Sequence, residues 1–525
     1  MRLRYSILIL AAHLLLVGCT VGPNYAKPKL AVAPAYSEAG LNENTNPPPA
    51  EWWKTFNDPE LDKLISAALH ENYDLRVAYS RVRQSRFQRN LIAAGLFPQV
   101  DADAGYIHAR GSKNVVLPLG GAGASGGSGA GAIKTAHSSS VTPKASSQNS
   151  ASPSASSSPA GAQTDNAFDD QLTPFGKGGL PGEVTDLYQA GFDATWEIDV
   201  FGARRRQVEA ANADLGTANE NRRQMALTIM AEVGRDYFEL RGIQARLQIA
   251  QQNLATQSNI LALTRSQAQA GLAQDADVIR AQAQVESTAA TIPPLVAQVR
   301  TLSHALSILV GQEPQALDRE LGPAMPLPPN PPVVAVGLPS DLIKRRPDLR
   351  AAERSVAAAN ARVGGATADL FPKFALTANA GLDSSALHNL FDLESRYFLI
   401  SPTVTWRIFD AGQILSNIRL QNAMKNEAEL EYRATLLKAL QEVEDALVAY
   451  GTEQERQGKL ATAYQEDKVA MDLMSKRYEH GLVTFLDVLD SERTVLSAQD
   501  ALAQSNSASI TDLVALYKAL GGGWK

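Results

Sequence analysis

Two Leu-Phe-Pro corners frame the chain. Asp74-Leu75-Arg76 precedes Leu96-Phe97-Pro98, and Asp348-Leu349-Arg350 precedes Leu370-Phe371-Pro372, with 23 residues from leucine to proline in both cases. Further on, Trp196-x-Ile198-x-x-x-Gly202 matches Trp406-x-Ile408-x-x-x-Gly412 at an offset of 210. The same offset, without a gap, pairs Asn212 with Asn422, Arg223 with Arg433, Glu232-Val233 with Glu442-Val443, Gly271-Leu272 with Gly481-Leu482, Asp277-Val278 with Asp487-Val488 and Gly311 with Gly521. A chain patterned this way is a duplicated unit. The 525 residues, long enough for three or four ordinary domains, therefore reduce to repeats at 58–311 and 340–521, joined by a proline-rich linker at 312–339.

Between each Phe-Pro corner and each Trp the residues alternate at period 2, as in a strand with two different faces. Val100, Ala102, Ala104 and Tyr106 alternate with Gln99, Asp101, Asp103 and Gly105. Tyr188, Ala190, Phe192, Ala194, Trp196 and Ile198 alternate with polar or small residues, and Phe374, Leu376, Ala378, Ala380, Ile400, Pro402, Val404 and Trp406 repeat the pattern. Strands of about 9–11 residues have the length that a tilted transmembrane strand needs. A pair of half-buried soluble hairpins would show the same periodicity. Four strands cannot close a lumen, for which about eight are the minimum. Either the hairpins form a soluble sheet or several chains share one barrel.

The remainder reads as helix. Ala203 to Ala270 runs without proline, which at 1.5 Å per residue is about 100 Å. Leu240, Leu247, Leu254 and Leu261 recur every seven, with Ile243, Ala250, Gln257 and Thr264 at the d-like positions. After a turn at Gly271 the pattern resumes through Val278, Val285, Ile292, Val299 and Leu306. Sustained heptads predict coiled-coil arms; Pro293-Pro294 predicts a kink in the second. Asp58-Pro59 predicts a capped helix start.

The two repeats differ by 64 residues between corner and Trp, an excess that falls around 111–180. Of the 40 residues from Gly121 to Ala160, 28 are Gly, Ala or Ser, too few large apolar groups to order a core. Gly121-x-Gly123-x-x-Gly126 has the letters of a dinucleotide fingerprint, but no core strand precedes it and no helix follows it. The seven histidines show no metal-ligand spacing, and no nucleophile elbow or Walker loop occurs. The expectation is no enzyme, no metal and no cofactor. With 49 basic against 55 acidic residues and a net charge of −6, a nucleic-acid partner is not expected either. The runs Arg204-Arg205-Arg206 and Lys344-Arg345-Arg346 read as solvated or headgroup-facing.

The N-terminus is a targeting signal. Arg2 and Arg4 precede an apolar run from Ile7 to Val17, and Leu16-Val17-Gly18-Cys19 ends it. The run is too short for a finished membrane span, and 1–18 read as a signal peptide. The tetrad resembles a bacterial lipoprotein box, which predicts covalent lipid on Cys19; an ordinary signal peptide with a chance cysteine is the other reading. Thr20 follows, with no aspartate to signal inner-membrane retention. Residues 19–57 are then a lipidated N-terminal segment and 522–525 a short tail.

These features resemble the TolC-type outer-membrane efflux proteins, in the lipoprotein branch typified by OprM and NodT. The most specific pieces are Gly18-Cys19-Thr20-Val21-Gly22-Pro23-Asn24-Tyr25 with Pro28, Trp52-Trp53 through Phe56 and Asp58, both Leu-Phe-Pro corners, Trp406-x-Ile408-Phe409-Asp410-x-Gly412, and Arg477-Tyr478-x-x-Gly481 running to Leu486-Asp487-Val488-Leu489-Asp490. The resemblance implies a mainly α fold with a transmembrane β part: a homotrimer with a 12-stranded barrel, four strands per chain, and a long coiled-coil periplasmic tunnel. It implies an outer-membrane exit duct for drugs, working with a periplasmic adaptor and an inner-membrane transporter of the resistance-nodulation-division type. A type I protein-secretion outlet is the rival within the family, and a non-conducting trimeric coiled-coil scaffold the rival outside it. Gly271 and Gly481 are then the tip turns. Asp487 and Asp490, three apart and able to share one side of a helix, match the family's aperture aspartates. The arginine that the family often carries two residues after the glycine is Val483 here, leaving Tyr478 and Arg477 as candidates for the lock. Phe97, Trp196, Phe371 and Trp406, at equivalent strand ends, are candidates for an aromatic girdle among outer-membrane lipid.

Overall fold

The computed structural model describes residues 20–28, 30–38, 43–44, 46, 49–110, 184–271, 273–328, 334–480 and 482–522. The signal peptide, Cys19, the 111–180 insert and Gly481 lie outside the described residues. In chain order the elements are β1 (Glu43–Asn44), a 3₁₀ turn (Trp52–Phe56), α1 (Pro59–Glu71), α2 (Tyr73–Ala94), β2 (Gln99–Arg110), β3 (Val184–Ile198), α3 (Ala203–Gln269), α4 (Asp275–Leu309) and α5 (Asp318–Leu321). Then follow β4 (Val334–Ala335), α6 (Pro339–Arg345), α7 (Pro347–Ala368), β5 (Lys373–Ser384), β6 (Arg396–Thr405), α8 (Gln413–Glu479) and α9 (Phe485–Ala519). Helices α3 and α8 have 67 residues each and begin 210 apart; α4 and α9 have 35 each at the same offset. Helices α2 and α7 have 22 each, 274 apart, and β2 and β5 follow them with 12 each.

The chain divides into two compact units. The helical unit holds Met1–Pro98, Trp196–Ala375 and Pro402–Lys525; the β unit holds Gln99–Thr195 and Leu376–Ser401. In the helical unit, α3 packs on α2, α4, α7 and α9, and α8 packs on α7 and α9. Along the coiled-coil arms the buried positions follow heptad spacing, as Gln257, Leu261 and Thr264 on α3 and Ala281, Thr288 and Leu295 on α4. The main core gathers around Trp52, which stacks on Tyr517 at 5.7 Å, while Phe56 meets Phe238 at 4.7 Å. Leu61 and Ile65 of α1, Leu240 of α3 and Leu513 of α9 close around them. Helix α1 starts where the sequence puts its cap: an Asp58 carboxylate oxygen accepts from the amides of Glu60 (3.0 Å) and Leu61 (3.3 Å), with Pro59 at the first helical position.

Pro293-Pro294 does not break α4, which is continuous from Asp275 to Leu309. Both prolines lie on its exposed side, while Thr288 before them and Leu295 after them are buried, so tertiary packing on both flanks outweighs two missing N–H donors. Among the described residues no helix is long and apolar enough to cross a membrane.

Candidate functional site

In the β unit the strand order is β2-β3-β5-β6, so β2 and β6 are the edges. The antiparallel register of β2 and β3 joins Val100 to Ala194, Ala102 to Phe192, Ala104 to Ala190 and Tyr106 to Tyr188, all on one face. The other face joins Gln99 to Thr195, Asp101 to Asp193, Asp103 to Gly191 and Gly105 to Gln189. One face is therefore apolar and the other carries three aspartates in four consecutive pairs. The apolar face is open: Val100, Tyr106 and Phe192 are each more than half exposed, as are Phe398, Ile400 and Val404 of β6. Tyr106 stacks on Tyr188 at 4.7 Å and donates to Asp186 at 2.7 Å, which also meets His108 Nδ1 at 2.6 Å. On the sheet, Gln189 Nε2 donates to the Tyr397 hydroxyl at 3.4 Å. A sheet exposing large apolar groups on one side and carboxylates on the other is built for two different solvents.

The Trp-x-Ile-x-x-x-Gly motifs form strand-to-helix corners. The Trp196 indole donates to the Leu96 carbonyl at 3.0 Å and the Trp406 indole to the Leu370 carbonyl at 3.1 Å, so each Trp staples its own Leu-Phe-Pro corner. Each motif ends at a glycine with φ of 86° (Gly202) or 85° (Gly412), which precedes its long helix in a conformation that a side chain disfavours. Asp410 caps α8 by accepting from the Gly412 and Ile414 amides at 2.9 and 2.7 Å. The four ring residues divide: Phe97 and Trp406 are exposed, whereas Trp196 is half-buried and Phe371 stacks on Phe201 at 4.6 Å.

Four of the six residues in the basic runs, Arg204, Arg205, Arg206 and Arg346, are held by carboxylates or carbonyls, while Lys344 is exposed. Arg206 is 3% exposed and donates to the carbonyls of Val21 (3.2 Å) and Gly22 (3.3 Å), to Asn24 Oδ1 (2.8 Å) and to Glu209 (2.7 Å). Arg204 pairs with Glu197 at 2.7 Å and Arg205 with Asp199 at 3.2 Å. Arg346, also buried, joins Asp348 (2.6 Å), Glu442 (2.7 Å) and the Ala519 carbonyl (3.0 Å). Burial of the guanidinium among fixed acceptors is what overturns the surface reading.

Sequence reasoning missed what Arg206 holds. Thr20–Tyr25 lie in a groove between α3 and α7, where the Val21 amide donates to the Phe201 carbonyl (3.1 Å), the Asn360 amide to the Pro23 carbonyl (3.0 Å) and Tyr25 to Glu353 (2.6 Å). A Cβ on Gly22 would stand 2.5 Å from Gly364 Cα. Two glycines inside one helix, Gly364-Gly365, were the available signal, since each costs about 1 kcal/mol against alanine unless something approaches closely.

At the distal turns, Gly271 ends α3 with φ of 75°. Thr484 begins α9 through a capping box in which Asp487 accepts from the Thr484 amide (2.8 Å) and hydroxyl (2.7 Å). These bonds, the hydroxyl's first, hold the Asp487 carboxyl below its ordinary range. Asp487 on the first turn of α9 and Asp490 on the second are both exposed. Arg477 is exposed, and its carbonyl accepts from the Leu482 amide at 2.9 Å. Tyr478 instead packs into a small apolar cluster of Leu261, Ala281, Phe485 and Leu489, with its ring 5.7 Å from Phe485; burial raises its hydroxyl pKa.

The sequence profile described as outer membrane efflux protein matches residues 64–312 and 338–522. The solvent efflux pump outer membrane protein SrpC of Pseudomonas putida is 29% identical over 540 residues, 99% of each chain. The outer-membrane channel OprN is 31% identical with a TM-score of 0.79, over 96% of this chain and all of that one. The MtrE outer membrane channel of Neisseria gonorrhoeae, solved in its open state, is 26% identical with a TM-score of 0.74, over 97% of this chain and 99% of that one.

Proposed function

Since the chain belongs to the outer membrane efflux protein family, we propose that it is the outer-membrane exit duct of a tripartite efflux pump, a passive conduit for small molecules from periplasm to exterior. The observation that carries this reading is the two-faced sheet, apolar and exposed on one side, carboxylate-bearing on the other, and edged by β2 and β6. Three copies joined edge to edge make 12 strands with no edge left, the apolar face toward lipid and the aspartates toward the lumen. The long helices α3, α4, α8 and α9 supply the periplasmic part, which an adaptor and an energised inner-membrane transporter of the resistance-nodulation-division type complete. A relative named for solvent efflux favours small apolar or amphipathic cargo over a secreted protein.

The remaining assignments follow from the same reading. Cys19 carries lipid; Phe97 and Trp406, the two exposed rings, belong to the girdle with Trp196 and Phe371 behind them. Asp487 and Asp490 from three chains ring the distal constriction, where like charges attract cations, with Arg477 and Tyr478 beside them and Gly271 and Gly481 at the turns. Purified protein in planar bilayers is expected to show discrete cation-selective conductance steps. A protein that inserts without conducting overturns the duct in favour of a scaffold.

A further inference from the structure

A tyrosine rooted on β6 lies across the carboxylate face of the sheet, and two glycines decide how it lies. Alternate residues of a strand share a face, so Gly191 of β3 belongs with Gln189 and Asp193 on the side that carries the aspartates. A Cβ on Gly191 would stand 3.1 Å from the Tyr397 hydroxyl oxygen, and one on Gly381 of β5 would stand 3.0 Å from Tyr397 Cε1. The same side chain therefore covers both bare backbones. Because β5 separates β6 from β3, and neighbouring strands stand about 4.8 Å apart, Tyr397 reaches a β3 glycine only by lying along the sheet. On arrival its hydroxyl accepts from Gln189 Nε2 at 3.4 Å. The two strands close up beneath it, since a Cβ on Gly381 would stand 2.8 Å from Gly191 Cα, and the ring rests on backbone. One side of the ring is against the wall, and the half-buried side chain turns the other outward.

We propose that Tyr397 is a cargo-contact residue, a flat aromatic platform for organic cations with an apolar body. This rests on the proposed duct, in which the carboxylate face lines the lumen, and adds to it a class of cargo and the residue that meets it. The chemistry on either side of the ring selects the class. Toward the Leu-Phe-Pro corner, Asp103 is the cross-strand partner of Gly191, and Asp193 stands two residues along β3 from that glycine, about 7 Å away. Toward the hairpin connection, the same face carries the pair Ile107 and Leu187, two same-face steps beyond Asp103 and Gly191. A positive charge over the open ring is drawn by its quadrupole and by the neighbouring carboxylates, while the apolar pair receives the non-polar body. An anion is repelled by the same carboxylates, and a neutral solute keeps only the apolar contact.

Tetrabutylammonium, a quaternary cation with apolar arms and no hydrogen-bond donor, is the probe. With full-length protein in planar bilayers, it is expected to reduce the single-channel current saturably. Tyr397→Leu, which keeps apolar bulk and removes the π face, is expected to raise the half-effect concentration about 2- to 5-fold, the range of a cation–π contact at an accessible site. Tyr397→Phe keeps the ring and should leave that concentration unchanged, and the current in potassium chloride alone should be the same for all three proteins. Tyr397→Ile, whose β-branch suits a strand, repeats the comparison should the leucine variant yield no oligomer. A conducting parent that shows no saturable reduction, or a half-effect concentration equal in the parent and the aliphatic variant, overturns the platform while leaving the duct standing. A parent that inserts without conducting overturns both.

Discussion

At the residue scale, the decisive groups are buried polar side chains. Arg206 satisfies two carbonyls and an amide oxygen of the N-terminal segment. Arg206→Ala leaves those acceptors without donors, which costs about 1–3 kcal/mol. A lower Tm and early proteolytic release of residues preceding Tyr36 should follow; unchanged protection would show that the bonds of Val21, Pro23 and Tyr25 with the Gly22–Gly364 contact hold the segment without Arg206. Glu492 on α9 is 4% exposed, and burial raises its carboxyl, with the Gln257 amide and Arg493 pulling the other way. An acid raised in the folded state binds its proton more tightly there than unfolded, so its effect turns destabilising as pH rises past about 4.3. Glu492→Gln is therefore expected to raise Tm at pH 7 and to leave it unchanged near pH 4. Asp487 has the opposite sign: lowered in the folded state, its stabilisation of the cap is complete above about pH 4 and fades below it. Asp490, outside that cap, separates the two roles. Asp490→Asn should lower cation selectivity in single-channel recordings with the pH response intact, whereas Asp487→Asn should change both.

At the scale of elements, periodicity carried most of what could be read. The heptads of α3 and α4, the Asp58 cap and the alternation of β2 and β3 depend on nearest neighbours along one element, and the sequence states those directly. Arg206 and Arg346 were misread because a charge run looks alike whether water or folded backbone receives it; the acceptors that bring distant chain to them, Val21, Gly22 and Asn24 for Arg206 and Glu442 and the Ala519 carbonyl for Arg346, lie more than 90 residues away. Tyr478 was legible as a residue near the turn but not as a member of an apolar cluster, which takes α3, α4 and α9 together. The sheet's faces give a sharp test. Ala104→Arg, on the apolar face, is expected to cost about 2–4 kcal/mol if that face meets lipid, read as lost heat-resistant oligomer on gels. Asp103→Arg, on the opposite face, should assemble and shift ion selectivity toward anions. Equal tolerance of both substitutions would refute the assignment of faces.

At the scale of the whole molecule, family membership was legible because its marks are spaced motifs, and spacing survives where identity falls to 26–31%. The two edge strands carry a further consequence for how much protein must be present. On the proposed three-chain barrel a single chain leaves β2 and β6 as open edges, so folding and association become one equilibrium whose position depends on concentration. Each tenfold dilution of a three-chain assembly then weakens it by about 0.9 kcal/mol per chain, and the melting temperature should fall with dilution. In a cell the same relation makes the duct a threshold device: below a certain density of newly exported chains, open edges meet the wrong partners before they meet each other.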